Sequence, residues 1–198
     1  GVCSAANSST ATITVSPASV AGTASGDTTV CATGNSSVLT LNGYVGTIQW
    51  QSSTDNITFT NISGASASTY TANNRTITTY YRAKVKSGVC DSVYSNKVTI
   101  TVNPASVSGT VTGSATVCTG TNSTTLKLNN YLGTIQWQRS VNNNPFSAAG
   151  STLDSIIAAN LTATTQYRAL VKNGVCPALF SDTSAVTVDP AAIGGKIT

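Results

Sequence analysis

Apolar and polar side chains alternate along most of this chain. Val98-Thr99-Ile100-Thr101-Val102, Thr47-Ile48-Gln49-Trp50-Gln51 and Tyr81-Arg82-Ala83-Lys84-Val85-Lys86 place apolar residues at every second position. That is the period at which a strand turns one face to a core and the other to water. The pattern predicts antiparallel sheets with one dry face. No segment carries a helical stripe with caps, so the fold class reads as all-β. Gly34-Asn35, Asn42-Gly43, Asp55-Asn56 and Ser87-Gly88 are turn signals between short strands, at the spacing of a sandwich. Trp50 and Trp137 each follow an Ile two positions earlier, which puts both on the inward face. Tyr44 and Tyr131 sit in Asn-Gly-Tyr and Asn-Asn-Tyr stretches, read as turns, where partial exposure is expected.

The alternation is organised by a repeat. Gly-Val-Cys occurs at Gly1 to Cys3, Gly88 to Cys90 and Gly174 to Cys176. GTIQWQ stands at Gly46 to Gln51 and Gly133 to Gln138, and YRAKVKSGVC at Tyr81 to Cys90 returns as YRALVKNGVC at Tyr167 to Cys176. Pro17-Ala18-Ser19-Val20 returns as Pro104-Ala105-Ser106-Val107 and as Pro190-Ala191-Ala192-Ile193. One residue is lost between Gln138 and Tyr167, which reads as a loop deletion. The expected domains are 17–103 and 104–189, with 1–16 as the C-terminal strands of a preceding repeat and 190–198 as the start of a following one. The sequence therefore reads as a window on a longer tandem array. The alternative is a protomer whose orphan end strands pair with neighbouring molecules.

Within each unit the residues resemble an immunoglobulin-like domain: Gly34, then Leu39 and Leu41 on strand B, Trp50 on strand C, and Tyr81 with Ala83 on strand F. The resemblance implies tandem Ig-like β-sandwiches in which Leu41 and Ala83, and Leu128 and Ala169, stand where the inter-sheet cysteines would be. It also places Tyr81 and Tyr167 like the tyrosine corner. More narrowly, the Cys-x-x-Gly before strand B, the IQWQ and TTYYRA strands and the Gly-x-Cys hairpin are similar to the Ig-like repeats of large type IX-secreted surface proteins of Bacteroidota, including gliding-motility adhesins. That family implies an extracellular, cell-surface setting and a structural role.

Composition narrows the chemistry. There is no His, and all six acidic residues are Asp, so the usual general bases, zinc sets and nucleophilic triads have little to draw on. An enzyme is not expected, nor any cofactor. Charged residues are 8% of the chain and the net charge is +4, too sparse for a nucleic-acid patch. No apolar run reaches the length of a membrane span. Asp27, Asp55, Asp91, Asp154, Asp182 and Asp189 are scattered, so neither calcium nor any other metal is expected. Ser and Thr are three-tenths of the chain, and Asp27-Thr28-Thr29, Asp91-Ser92-Val93 and Asp154-Ser155-Ile156 resemble the Bacteroidota O-glycosylation sequon. Thr28, Ser92 and Ser155 are the candidates.

Five cysteines in a chain of this type suggest bridges. Spacing alone leaves several pairings open. One alternative closes each unit on itself, Cys31 with Cys90 and Cys118 with Cys176. The Ig-like topology implies another. It puts Cys31 at the C-terminal end of its domain and Cys90 in the F to G turn at the opposite end, so that in a head-to-tail array Cys31 meets Cys176. Cys90, Cys118 and Cys3 would then pair with units beyond this window.

The function expected on these grounds is a non-catalytic stalk or filament segment of a surface adhesin. Its expected partners are neighbouring repeats of the same chain and self-association into filaments. The alternatives are a filament protomer joined by strand complementation and a glycan-binding module.

Overall fold

The computed structural model describes residues 1–190, and the stretch read as a following repeat lies outside the described residues except for Pro190. The first repeat holds β1 (Val20–Ser25), β2 (Thr28–Cys31), β3 (Ser36–Val45), β4 (Thr47–Ser53), β5 (Thr60–Asn61), β6 (Thr69–Asn73), β7 (Thr79–Lys86), β8 (Val93–Tyr94) and β9 (Val98–Asn103). The second repeats the set as β10 (Val107–Thr112), β11 (Ala115–Cys118), β12 (Ser123–Leu132), β13 (Thr134–Val141), β14 (Ser147–Ala148), β15 (Ser155–Ala159), β16 (Thr165–Lys172), β17 (Leu179–Phe180) and β18 (Ser184–Asp189). The described residues form no helix.

Each repeat folds as two sheets. In the first, β1-β3-β6 faces β2-β9-β7-β4-β5, with β8 added beside β7. The second pairs β10-β12-β15 with β11-β18-β16-β13-β14, with β17 beside β16. β2 runs parallel to β9 and β11 to β18, whereas the ladders of β1 with β3, β4 with β7, β10 with β12 and β13 with β16 are antiparallel. The first edge segment of each sandwich thus switches sheets partway, as in an Ig-like sandwich.

The alternation explains the core. On β7, Thr79, Tyr81, Ala83 and Val85 are buried and the residues between them are not. Trp50 and Trp137 are fully buried, and their indole N–H groups donate to Ala67 O at 3.0 Å and Leu153 O at 2.9 Å. A buried Trp needs such a partner. Leu41, Ala83, Leu128 and Ala169 all lie in the cores, where a Leu and an Ala replace the bridge of an antibody domain. The missing residue also has a place. Ile62 and Ala149 donate to the carbonyls of Trp50 and Trp137, and Ala65 O and Ser151 O accept from their amides. Ser63-Gly64 in one loop therefore answers to Gly150 alone in the other.

One expectation is corrected. Asn42-Gly43 is not a turn, because β3 runs on to Val45 and Tyr44 pairs with Ala21. Gly43 (φ 68°) lies opposite Gly22 (φ 71°), and two left-handed residues side by side let both strands run on with the register unbroken. The chain reverses at Gly46 instead, where an added Cβ would stand 2.6 Å from the Lys86 carbonyl group. In the second repeat Asn130 takes the left-handed position at φ 54°. Tyr44 and Tyr131 therefore sit on strands, the first half-buried and the second exposed.

Residues 1–16 form no strand in this chain. Ile13 and Val15 are exposed, although the repeat aligns them with Ile100 and Val102 of β9. A strand of this pattern needs a ladder partner, and β9 and β18 already fill the last position of both sandwiches.

Burial pushes the Tyr167 hydroxyl above its ordinary value, opposed by the Arg139 guanidinium. Such a group favours the folded state fully below the unfolded pKa, about 10, and loses that contribution as pH rises through the folded value. Stability of the second sandwich is therefore expected to fall above about pH 10. A denaturant series from pH 8 to 11 checks this, and a flat profile would contradict it.

Candidate functional site

By its contacts the chain divides into two compact units that do not follow the repeat boundaries. One comprises Gly1–Asp27, Ser37–Ala72 and Thr79–Thr99, and the other Thr28–Ser36, Asn73–Thr78 and the chain from Ile100 onward. The second unit thus takes in the Cys31 end of the first repeat. It contains the one covalent cross-link among the described residues, a disulfide between Cys31 and Cys176 with Cα atoms 4.8 Å apart and a sequence separation of 145. Cys3, Cys90 and Cys118 are free thiols, Cys3 and Cys118 exposed and Cys90 half-buried. This bond excludes the within-repeat pairs Cys31 with Cys90 and Cys118 with Cys176.

Each half of the bridge is held by its own loop. Cys31 ends β2, and Asn35 clamps the segment behind it. The Asn35 Nδ2 donates to Cys31 O at 2.6 Å and Arg75 O at 2.7 Å, and its Oδ1 accepts from Arg75 N at 2.8 Å. Ala32 N donates to Asn103 O at 2.9 Å, extending the parallel ladder by one bond. On the other side, Cys176 closes a turn by donating its N–H to Asn173 O at 2.9 Å. That turn rests on the segment that links the repeats. Asn173 N donates to Ser106 Oγ at 2.9 Å, Asn173 Nδ2 to Pro104 O at 2.8 Å and Val175 N to Asn103 Oδ1 at 3.2 Å. Cys176 Sγ lies 3.5 Å from Asn103 O and 3.2 Å from Pro104 O. Gly174 takes φ 52°, and a side chain there would run into Asn103. The same glycine that makes the turn possible lets it seat.

Asn35 satisfies three backbone groups from two loops, so Asn35→Ala strands all three. A loss of about 2 kcal/mol in the second unit is expected, with faster reduction of the bridge. Urea unfolding and thiol-release rates measure both, and an unchanged midpoint would show that water replaces the side chain without cost.

The repeat comparison also shows groups that sequence reasoning missed. On the outer face of β7 the Arg82 guanidinium lies 4.2 Å from the Phe59 ring centre and 4.1 Å from that of Tyr94, while its Nε donates to Gln51 Oε1 at 2.8 Å. Arg168 repeats this against Phe146 at 4.0 Å, Phe180 at 3.8 Å and Gln138 at 2.9 Å. Each stack covers apolar ring area on a wet sheet face and occupies its own cation. The signal was the recurrence of Arg with two aromatics and a Gln at matching positions in both repeats.

Other candidates are dispersed. Thr28 is exposed on β2, whereas Ser92 and Ser155 are half-buried. Among the described residues no group of three Cys or Asp side chains gathers to hold a metal. The Asp55 carboxylate is held well below its usual range by hydrogen bonds from Ser53 Oγ and from the amides of Ile57 and Thr58, the work of a local turn. Among the described residues one ion pair forms, Lys127 with Asp154 at 3.9 Å with both side chains about half exposed, a geometry of little energetic weight. An open trough of about 540 Å³ on the second sandwich is lined by Ile135, Leu170, Ala148 and Lys172. The first repeat has a counterpart of about 270 Å³ at the matching positions, where Lys84 and Asn61 replace Leu170 and Ala148, so the trough is shared but its apolar lining is not.

Solved structures with this fold are distant in sequence. A marsupial T cell receptor chain is 14% identical with a TM-score of 0.57, covering 85% of this chain and 73% of the receptor chain. A chain from the complex of the mouse coronavirus receptor-binding domain with its murine receptor is also 14% identical, with a TM-score of 0.56, covering 84% of this chain and all of that one. At such identity the likeness shows the fold, an Ig-like one. No curated protein matches the chain in sequence. Residues 20–104 and 107–190 each match the model of a domain of unknown function, DUF8696, so the chain belongs to that family and carries two tandem copies of its domain.

Proposed function

We propose that this chain is a non-catalytic segment of a cell-surface stalk or filament built from tandem Ig-like repeats. The setting that fits is a large type IX-secreted adhesin of Bacteroidota, of the gliding-motility kind. The observation that carries the reading is the bond between Cys31 and Cys176. It ties the first repeat to the second by a link additional to the peptide at Asn103-Pro104. Disulfides persist in oxidising compartments, which supports an extracellular location. The repeats proper are 17–103 and 104–189 in this reading, with 1–16 belonging to a preceding repeat and 190–198 to a following one. Their partners are neighbouring repeats.

The alternatives find less support. A glycan platform would draw first on Trp, and both Trp side chains are fully buried. Strand complementation needs a vacant position, and each described sandwich supplies its own last strand.

Solution scattering tests the stiffening role. One conformer should fit the oxidised chain, and only an ensemble the Cys31→Ser/Cys176→Ser variant. Equal flexibility in the two would remove the bridge's role and the stalk reading with it.

A further inference from the structure

The bridge is one instance of a pattern that each repeat carries in two halves. Cys176 offers a sulfur from a turn seated on the linker before its own sandwich. Cys90 is seated in the same way within the first unit: its N–H donates to Ser87 O at 2.9 Å, and Ser87 N donates to Ser19 Oγ at 2.9 Å. Its Sγ lies 3.5 Å from Pro17 O and 3.9 Å from Ser16 O. Gly88 has φ 49°, and a side chain there would meet Ser16 as one at Gly174 meets Asn103.

The opposite half recurs at Cys118. It ends β11 opposite Asp189, as Cys31 ends β2 opposite Asn103. Asn122 clamps it, with Nδ2 donating to Cys118 O and Leu161 O, both at 2.8 Å, and Oδ1 accepting from Leu161 N at 2.9 Å. Thr119 N donates to Asp189 O at 2.9 Å, as Ala32 N does to Asn103 O. Both thiols are free, and each matches a cysteine that is bonded in the sister repeat.

We infer that Cys118 and Cys90 are complementary halves of a second bridge of the same build, and that the partner of each is another repeat of this family. The turn cysteine of a repeat placed after Asp189 bonds Cys118, and the strand-end cysteine of a repeat placed before Pro17 bonds Cys90. Each bridge forms one S–S bond as two S–H bonds break. The two protons and two electrons pass to a disulfide oxidant such as oxidised glutathione, which is cleaved to two thiols. The inference takes its setting from the stalk reading, but the bridge can form or fail independently of the scattering result above, which uses neither thiol.

The test joins residues 17–198 of a second copy directly after Asp189 of the chain, so that Asp189-Pro17 stands where Asn103-Pro104 stands. After oxidation in glutathione buffer, non-reducing peptide mapping should show Cys118 linked to Cys90 in near-stoichiometric yield. Thiol alkylation should then label only Cys3, the first copy's Cys90 and the second copy's Cys118. Cys90→Ser in the second copy should abolish the linked peptide, and Cys90→Ser in the first copy should leave it. The Cys31 to Cys176 peptide reports correct folding in the same digest. The inference is overturned if Cys118 stays alkylatable while that peptide is present, or if the Cys118 link survives loss of the second copy's Cys90.

Discussion

Stretched from its two ends under oxidising conditions, the chain will release only the slack outside the bridge, and reductant will add about 500 Å of contour. The argument is covalent. Cys31 and Cys176 are 145 positions apart in sequence and 4.8 Å apart in space, and an extended chain spans at most about 3.3 to 3.6 Å per residue. The strands from β3 to β16 lie inside the closed loop. A pull can strip β1 and β2 from one side and β17 and β18 from the other, but it cannot lengthen what lies between while sulfur carries the load. Hydrogen-bonded ladders yield by local opening, whereas the bond needs a thiolate to exchange. The two repeats would therefore survive loads that unravel an unbridged pair. Single-molecule stretching with and without a phosphine reductant measures the difference. Equal total extension in the two conditions would mean that the bridge does not close this loop.

The parts of this molecule legible in the sequence are those in which one local rule governs. Alternation placed Trp50 and Trp137 inward because a strand has two faces and both neighbours at i−2 are Ile. The loop deletion fell in a Gly-containing turn because such turns absorb length. Asn42-Gly43 misled for a reason outside its own segment: Gly22 on the partner strand makes room for a left-handed residue opposite it, so a turn signal sits inside a continuous strand. Asn35 and Asn122 were invisible for a similar cause. An Asn in a Ser- and Thr-rich loop looks like any other, and only the arrival of Arg75 or Leu161 gives its amide a task. The Arg stacks need three strands to assemble. Residues 1–16 show the limit of pattern itself, since alternation states which face a strand would bury and leaves its ladder partner unspecified. The cysteines required the longest chain of steps, because their partner could be approached only through the repeat period combined with the direction of each strand.

Replacing both bridge cysteines should be the most damaging small change to the second unit. In the chain-entropy view a cross-link closing a loop of this length removes about 5 kcal/mol worth of freedom from the unfolded chain. Measured effects generally fall short, because the unfolded chain is already compact and the folded site carries its own strain. A loss of about 2 to 4 kcal/mol is expected for Cys31→Ser/Cys176→Ser, which lowers the melting temperature by on the order of 10 °C. The double variant is the right comparison, since a single substitution leaves a reactive thiol among the carbonyls of Asn103 and Pro104. Two mechanisms predict different denaturant slopes. If the bridge acts by restraining the unfolded chain, its removal lets that chain expand and expose more surface, so the slope m rises as the midpoint falls. If it acts by holding the turn at Gly174 against Asn103, the midpoint falls at constant m. The length of the closed loop favours the first, and a rise in m with a lower midpoint is the expected result. An unchanged midpoint in the double variant would show that the hydrogen bonds of Asn103, Asn173 and Ser106 hold this turn without sulfur.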